Sequence, residues 1–301
     1  MGNFKDLIRQ VTFGPAMMIW LDISNSKKEA PNENFARELM ELHTISPDGG
    51  YTQEDVIELA KIMTGWRPKW TKGRDHGHDV SFDRERHEPG KKKVLGKVYK
   101  SGKKGIDLAI KDLVNHPSCR KFISTKLCKY LITDNPTPEM IAPVIKAWEK
   151  SDGLLPEVHK AAIEVAFEYN DKYKKFQNPE NWWLTTINMS GSNYKYPVSE
   201  YKMNQFVFGF KPSHEMRFPS WLLEDIGCHP YKQKQPNGYS DLEKDWLSTE
   251  LVIRRLMYAK KAFHQYKVAD QIDDTIHESC LLYTSPSPRD QRGAGVGGWG
   301  G

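Results

Sequence analysis

Apolar positions recur at helical spacing through much of the chain, and the clearest case is Asn32–His43. At about 100° per residue, Glu33, Asn34, Arg37, Glu38 and Glu41 share an arc of about 140°, and Phe35, Ala36, Leu39, Met40, Leu42 and His43 take the other side. That division predicts an amphipathic helix. After the turn Pro47-Asp48-Gly49-Gly50, Thr52 can cap a second helix with Asp55 as its capping-box partner. Val56, Leu59, Ala60 and Met63 form its apolar stripe, and Gly65 stops it. The pair should close as an αα-hairpin through the GGYT turn. Further helices are expected over Gly105–Asn115, Pro117–Ile132, Pro138–Lys150, Leu154–Asn170 and Asn181–Ser190. A last one, capped by Ser248, carries Val252, Leu256, Ala259 and Phe263. Two stretches lack this periodicity: a Lys/His-rich insertion at 66–103, with short strands near Asp79–Phe82 and Val94–Tyr99, and an aromatic, Pro-rich irregular region at 191–245. A long insertion in a helical domain is more often functional than not. The expected fold class is mainly α, an irregular multi-helix single domain over residues 1–279.

Composition changes this picture little. Trp 9, Tyr 13 and Phe 12 supply bulky core material for a 301-residue chain whose hydrophobic content is only 38%. Lys+Arg 44 against Asp+Glu 39 leaves +5, spread evenly except at Lys91–Lys93 and Lys97–Lys104. With no zinc finger or RNP motif beside that charge, nucleic acid is not the expected partner. No run of about 18 apolar residues could span a membrane. The opening MGNFKDLIRQV is amphipathic and lacks the apolar core of a signal peptide. Cys119, Cys128, Cys228 and Cys280 show no CxxC spacing, which leaves the redox compartment open.

The end of the chain is unlike the rest. Cys280–Asp290, CLLYTSPSPRD, is what a widely used transposase sequencing adapter encodes when translated in one frame. Residues 280–301 are therefore expected to be an artefactual, disordered tail, as from a metagenomic read that ends inside the gene. An intact genomic copy should diverge near Ser279.

Candidate chemistry concentrates in two places. On the first helix, Glu33–Arg37 and Arg37–Glu41 are i,i+4 pairs worth about 0.2–0.5 kcal/mol each if exposed. One reading is a solvated surface. The other has Glu38, Glu41 and Asn34 facing a second helix and holding a hard cation or an acid–base pair. In the insertion, His76 and His78 between Asp75 and Asp79 have ligand-like spacing for a divalent metal. No nucleotide cofactor is expected, since no Walker A loop and no GxGxxG after a strand occurs, and GxSxG and HExxH are also absent.

NENFARELMELHT followed by DGGYTQEDVIELAKIMTGW resembles the signature of a large bacterial family, domain of unknown function 1800. The family's H-D-x-G-x-K-x-x-L-G pattern is similar to His87–Gly96, with Glu88 in place of Asp. Asn115-His116-Pro117, Lys126-Leu127, Pro236-Asn237-Gly238-Tyr239 and Trp246-Leu247-Ser248 through Arg255-Leu256 also match. The resemblance implies a mostly helical protein without established activity. It further implies the C-terminal part of a longer, exported protein, periplasmic or extracellular, whose signal sequence lies outside this fragment. It supplies no catalytic residues but selects candidates. Glu38, Glu41, His87 and Arg37 are candidates for catalysis, and Asn32, Glu33, Asn34, Tyr51 and Lys92 for ligand binding. His87 joins His76 and His78 as a metal candidate. Asp48, Gly49, Gly96 and Trp66 complete the motif, with Trp66 read as a core anchor.

Two functional expectations follow. One places a ligand or catalytic site between the Asn32–His43 helix and the His87 loop. The other is a structural or protein-interaction module of the cell envelope, in which the polar arc fixes packing and the partner is an envelope or secreted protein.

Overall fold

Asn3 accepts the Lys5 N–H at 2.9 Å and so caps the first helix of the computed structural model, α1 (Phe4–Thr12). The amphipathic MGNFKDLIRQV stretch is therefore a helix, with Phe4 and Ile8 buried and Phe4 edge-on to Trp148 at 5.0 Å. The structure describes residues 2–69, 80–170, 172, 175–189, 220–228, 233 and 237–265. The chain divides into two units, Met1–Leu131 with Asn135–Ala166, and Ile132–Asp134 with Phe167–Gly301.

In the first unit α2 (Pro15–Trp20) precedes the predicted hairpin of α3 (Glu33–Glu41) and α4 (Gln53–Met63). The α3 register is the one the apolar arc requires: Phe35, Ala36, Leu39 and Met40 have no exposed surface. Burying a Leu or Phe side chain fully stabilises by about 1.5–3 kcal/mol, so this face orients the helix. The predicted capping box on α4 is present, Thr52 and Asp55 each accepting the other's backbone N–H. At its far end Gly65 adopts φ +84°, and a Cβ there would lie 2.5 Å from the Asp83 carbonyl.

Among its described residues the insertion holds two antiparallel pairs. β1 (Trp66–Pro68) faces β2 (Val80–Phe82), with Trp66 opposite Phe82, and β3 (Lys92–Val94) faces β4 (Lys97–Tyr99). The stretch near Val94–Tyr99 is thus one arm and the turn of a hairpin rather than one strand. Leu95 at φ 47° and Gly96 at φ 78° supply the paired positive φ values of a tight two-residue turn. Four helices follow: α5 (Gly105–Val114), α6 (Pro117–Leu131), α7 (Pro138–Ser151) and α8 (Leu155–Tyr169).

The second unit contains α9 (Pro179–Met189), the short α10 (Ser220–Asp225) and α11 (Thr249–Gln265). Phe176, Trp182, Leu223, Ile226, Cys228, Trp246 and Ala259 form its core. Lys175 binds the Asp134 carboxylate at 2.8 Å and the Asp241 carbonyl at 2.6 Å, and Asp134 also accepts the Glu243 N–H at 2.7 Å. Most of the 191–245 region lies outside the described residues. The chain is mainly helical, and no described helix is long and apolar enough to cross a membrane.

Candidate functional site

The α3–α4 hairpin brings Glu33, Arg37, Glu38, Glu41 and Tyr51 together, while Asn32 and Asn34 stand at the start of α3. Asn32 is the N-cap of α3: its side-chain oxygen accepts the Asn34 N–H at 2.8 Å and its amide donates to the Asp22 carbonyl at 3.1 Å. Both halves of that side chain thus serve the backbone, and Asn34 is exposed. One turn on, Gln53 donates to Glu33 at 2.6 Å and accepts from Arg37 at 2.8 Å, while the direct Arg37–Glu33 pair is longer, 3.4 Å. The second expected ion pair, Arg37 with Glu41, is not made. Gln53 holds Arg37, and Glu41 instead accepts the Tyr51 hydroxyl at 3.2 Å. Gln53 and Tyr51 both come from the chain entering α4, and this competition across the hairpin is invisible to intrahelical spacing.

Glu38 stands apart. It is half-buried, and no hydrogen bond reaches its carboxyl among the described residues. Burial raises its pKa most, the neighbouring Glu41 raises it further, and Arg37 opposes both. Burial also raises the Tyr51 phenol, with Glu41 adding to it. Glu38, Glu41, Arg37 and Tyr51 thus form one electrostatic group.

His87 belongs elsewhere. Its Nδ1 lies 2.9 Å from the Thr64 carbonyl and 3.2 Å from the Thr64 hydroxyl, and its Nε2 accepts the Gly102 N–H at 2.9 Å. Thr64 also takes the Glu88 N–H at 2.8 Å on its hydroxyl. Burial lowers the His87 pKa most; the Thr64 bond opposes this, and the Lys92 charge adds to the lowering. Lys92 is 2% exposed, and its ammonium donates to the carbonyls of Glu88, Pro89 (3.2 Å) and Gly90 (3.1 Å). Both side chains are spent on holding the 87–92 loop. The charges acting on His87 are Lys92 and Glu88, and those acting on Glu38 are Glu41 and Arg37, so the two groups share no partner.

Three further assignments follow. His43 is half-buried with its Nδ1 unpartnered, and burial, then Lys126, lowers its pKa. Trp66 is a core anchor, 5% exposed and packed against Phe13 and Phe82 at 4.6 and 5.2 Å. His76 and His78 lie outside the described residues, and among the described ones no group of three or more His, Cys, Asp or Glu side chains could hold a metal ion.

Sequence reasoning missed Gln53, Thr64 and Glu58. Thr64 gave a signal, a hydroxyl just before a helix-stopping glycine. Glu58 accepts the Lys93 N–H at 3.1 Å, and Asp55, seen only as a cap, accepts the Leu95 N–H at 2.7 Å.

A family model described as "Protein of unknown function (DUF1800)" matches residues 1–294. No curated protein and no solved structure matches the chain.

Proposed function

The chain belongs to the DUF1800 family of proteins of unknown function, and from that premise we propose that it is a ligand-binding protein whose site is the Glu38–Glu41–Tyr51–Arg37 group. The observation that carries the reading is Glu38: a half-buried carboxyl without a hydrogen-bond partner among the described residues, beside a second carboxylate. Two carboxylates against one guanidinium leave a net negative charge. A ligand bearing an ammonium group would relieve the Glu38–Glu41 repulsion and engage the Glu38 carboxyl. The same raised pKa suits Glu38 to proton transfer, and His87 takes no part because its ring nitrogens are bound within the fold.

The competing reading, an interaction module of the cell envelope, is favoured by one fact. Asn32, Glu33, Arg37, Tyr51, His87 and Lys92 are all hydrogen-bonded inside the chain. Glu38→Gln separates the two. A carboxyl whose folded pKa lies above its unfolded value loses stability as pH rises through that interval. The Gln variant should therefore melt higher than the parent at pH 7 and equal to it at pH 3. At the same time it should weaken binding of putrescine, read by calorimetric titration, at least fivefold. A variant that melts lower at pH 7, with no putrescine binding by the parent, supports the interaction module instead. Export rests on the family resemblance, and its check is whether cells expressing the gene release the protein to the periplasm or the medium.

A further inference from the structure

The second unit buries a guanidinium that has no counter-charge among the described residues. Arg255, on α11, has no exposed surface. Its Nη1 donates to the Gln177 carbonyl at 2.7 Å, and its plane lies 4.7 Å from the Phe176 ring centroid and 5.6 Å from that of Trp182. Nε and Nη2 are buried without a partner. These two nitrogens are the side-on edge of the guanidinium, whose parallel N–H bonds match the two oxygens of a carboxylate.

An unpaired buried charge costs several kcal/mol, and natural folds supply either a carboxylate or a ligand to such a group. Here one nitrogen is fastened to backbone and two aromatic rings fix the plane, so the free edge points in a set direction. Burial lowers the Arg255 pKa to about 10, and among the described residues the charge partner that acts on it is the Cys228 thiol. That thiol is itself pushed up to about 11 by burial, so it stays neutral at pH 7 and supplies no anion. The two rings that flank the guanidinium, Phe176 and Trp182, belong to the unit's apolar core.

We propose that the Nε–Nη2 edge of Arg255 is a receptor for the carboxylate of a small ligand with an apolar body, a site separate from the Glu38 group. With zero exposure at the guanidinium, the ligand enters through local opening of the unit, and binding is slow.

Cys228 gives the readout, because its buried thiol reacts only when the same core opens. The full chain is equilibrated with sodium butyrate or sodium benzoate, against sodium chloride at equal ionic strength. Alkylation of Cys228 by N-ethylmaleimide is then followed by peptide mass spectrometry. Either carboxylate should slow labelling at Cys228 at least threefold and raise the melting temperature, while labelling at Cys119 keeps its chloride rate. Arg255→Lys keeps the charge but loses the edge, and should show no carboxylate effect. Equal rates in carboxylate and chloride overturn the proposal, and an edge already filled by a carboxylate of this chain gives that same blank response. Equal protection in the parent and in Arg255→Lys overturns it as well, since binding would then not use the edge. The parent comparison alone is decisive if the variant fails to fold.

Discussion

Gly102 presents its N–H to Nε2 of His87, so that nitrogen is the unprotonated one and the proton sits on Nδ1 facing the Thr64 carbonyl. Protonating the ring would set two N–H groups against each other at Gly102. Burial, the largest influence, holds the folded pKa below the ordinary value of 6.5, with the Lys92 charge adding to it against the Thr64 bond. Under that condition the unfolded chain takes up a proton that the folded chain refuses, and stability is lost as pH falls below about 6.5. His43 and His116 are lowered too, each mainly by burial, so the decline is shared. His87→Asn should cost about 1–3 kcal/mol at pH 7 through the unsatisfied Gly102 N–H. Urea denaturation at stepped pH should also give it a shallower loss below pH 6.5 than the parent. An unchanged slope would assign the titration to His43 or His116. None of this could be read from the order of residues: His87 stood out as a motif histidine, and only the positions of Thr64 and Gly102 turn it into a structural group.

The helices were readable in advance because their causes are local. A polar arc, a capping box and a stop glycine each act within a few residues, and α3 and α4 follow from them almost residue for residue. The β3–β4 hairpin obeys a different rule. Its amides at Lys93 and Leu95 bond to Glu58 and Asp55 of α4, 35 and 40 residues away. Asp55 reads from the sequence only as a cap, and Glu58 carries no signal there. Asp55 in fact binds on both sides, one oxygen to Thr52 and the other to Leu95. Those bonds hold its carboxyl below the usual range against the opposing effect of burial, the largest single influence. Loss of a cap costs about 1 kcal/mol, and a hydrogen bond to a charged group contributes about 1.5–3 kcal/mol. Asp55→Ala should therefore destabilise by about 2–4 kcal/mol, against about 1 kcal/mol for Thr52→Ala. Amide exchange at Leu95 should rise in the first variant and not in the second; equal losses would mean that the hairpin does not depend on the helix.

At the scale of the whole molecule, each unit carries its own apolar core, around Phe35, Leu39 and Leu59 in the first and Phe176, Trp182 and Trp246 in the second. A single domain was the expectation from a sequence with no visible linker. The unit boundaries fall at the end of α6, beside Asn135-Pro136-Thr137-Pro138, and inside α8, where Ala166 and Phe167 are consecutive helical residues. Truncating a buried Leu to Ala costs about 2–5 kcal/mol, and a Trp about 3–5 kcal/mol. Scanning calorimetry should resolve two transitions, with Leu39→Ala lowering one and Trp246→Ala the other. A single transition lowered by both variants would show one cooperative unit.

The Lys92 ammonium among its three carbonyls has a meaning beyond that of a buried charge. Oxygen cages of this kind elsewhere hold potassium or sodium, at the mercy of whatever salt surrounds them. Here the cation is tethered to the strand that leaves the loop, so its effective concentration is set by the chain and not by the medium. The loop carries its own cation, and no ion from the medium is needed to hold those three carbonyls together.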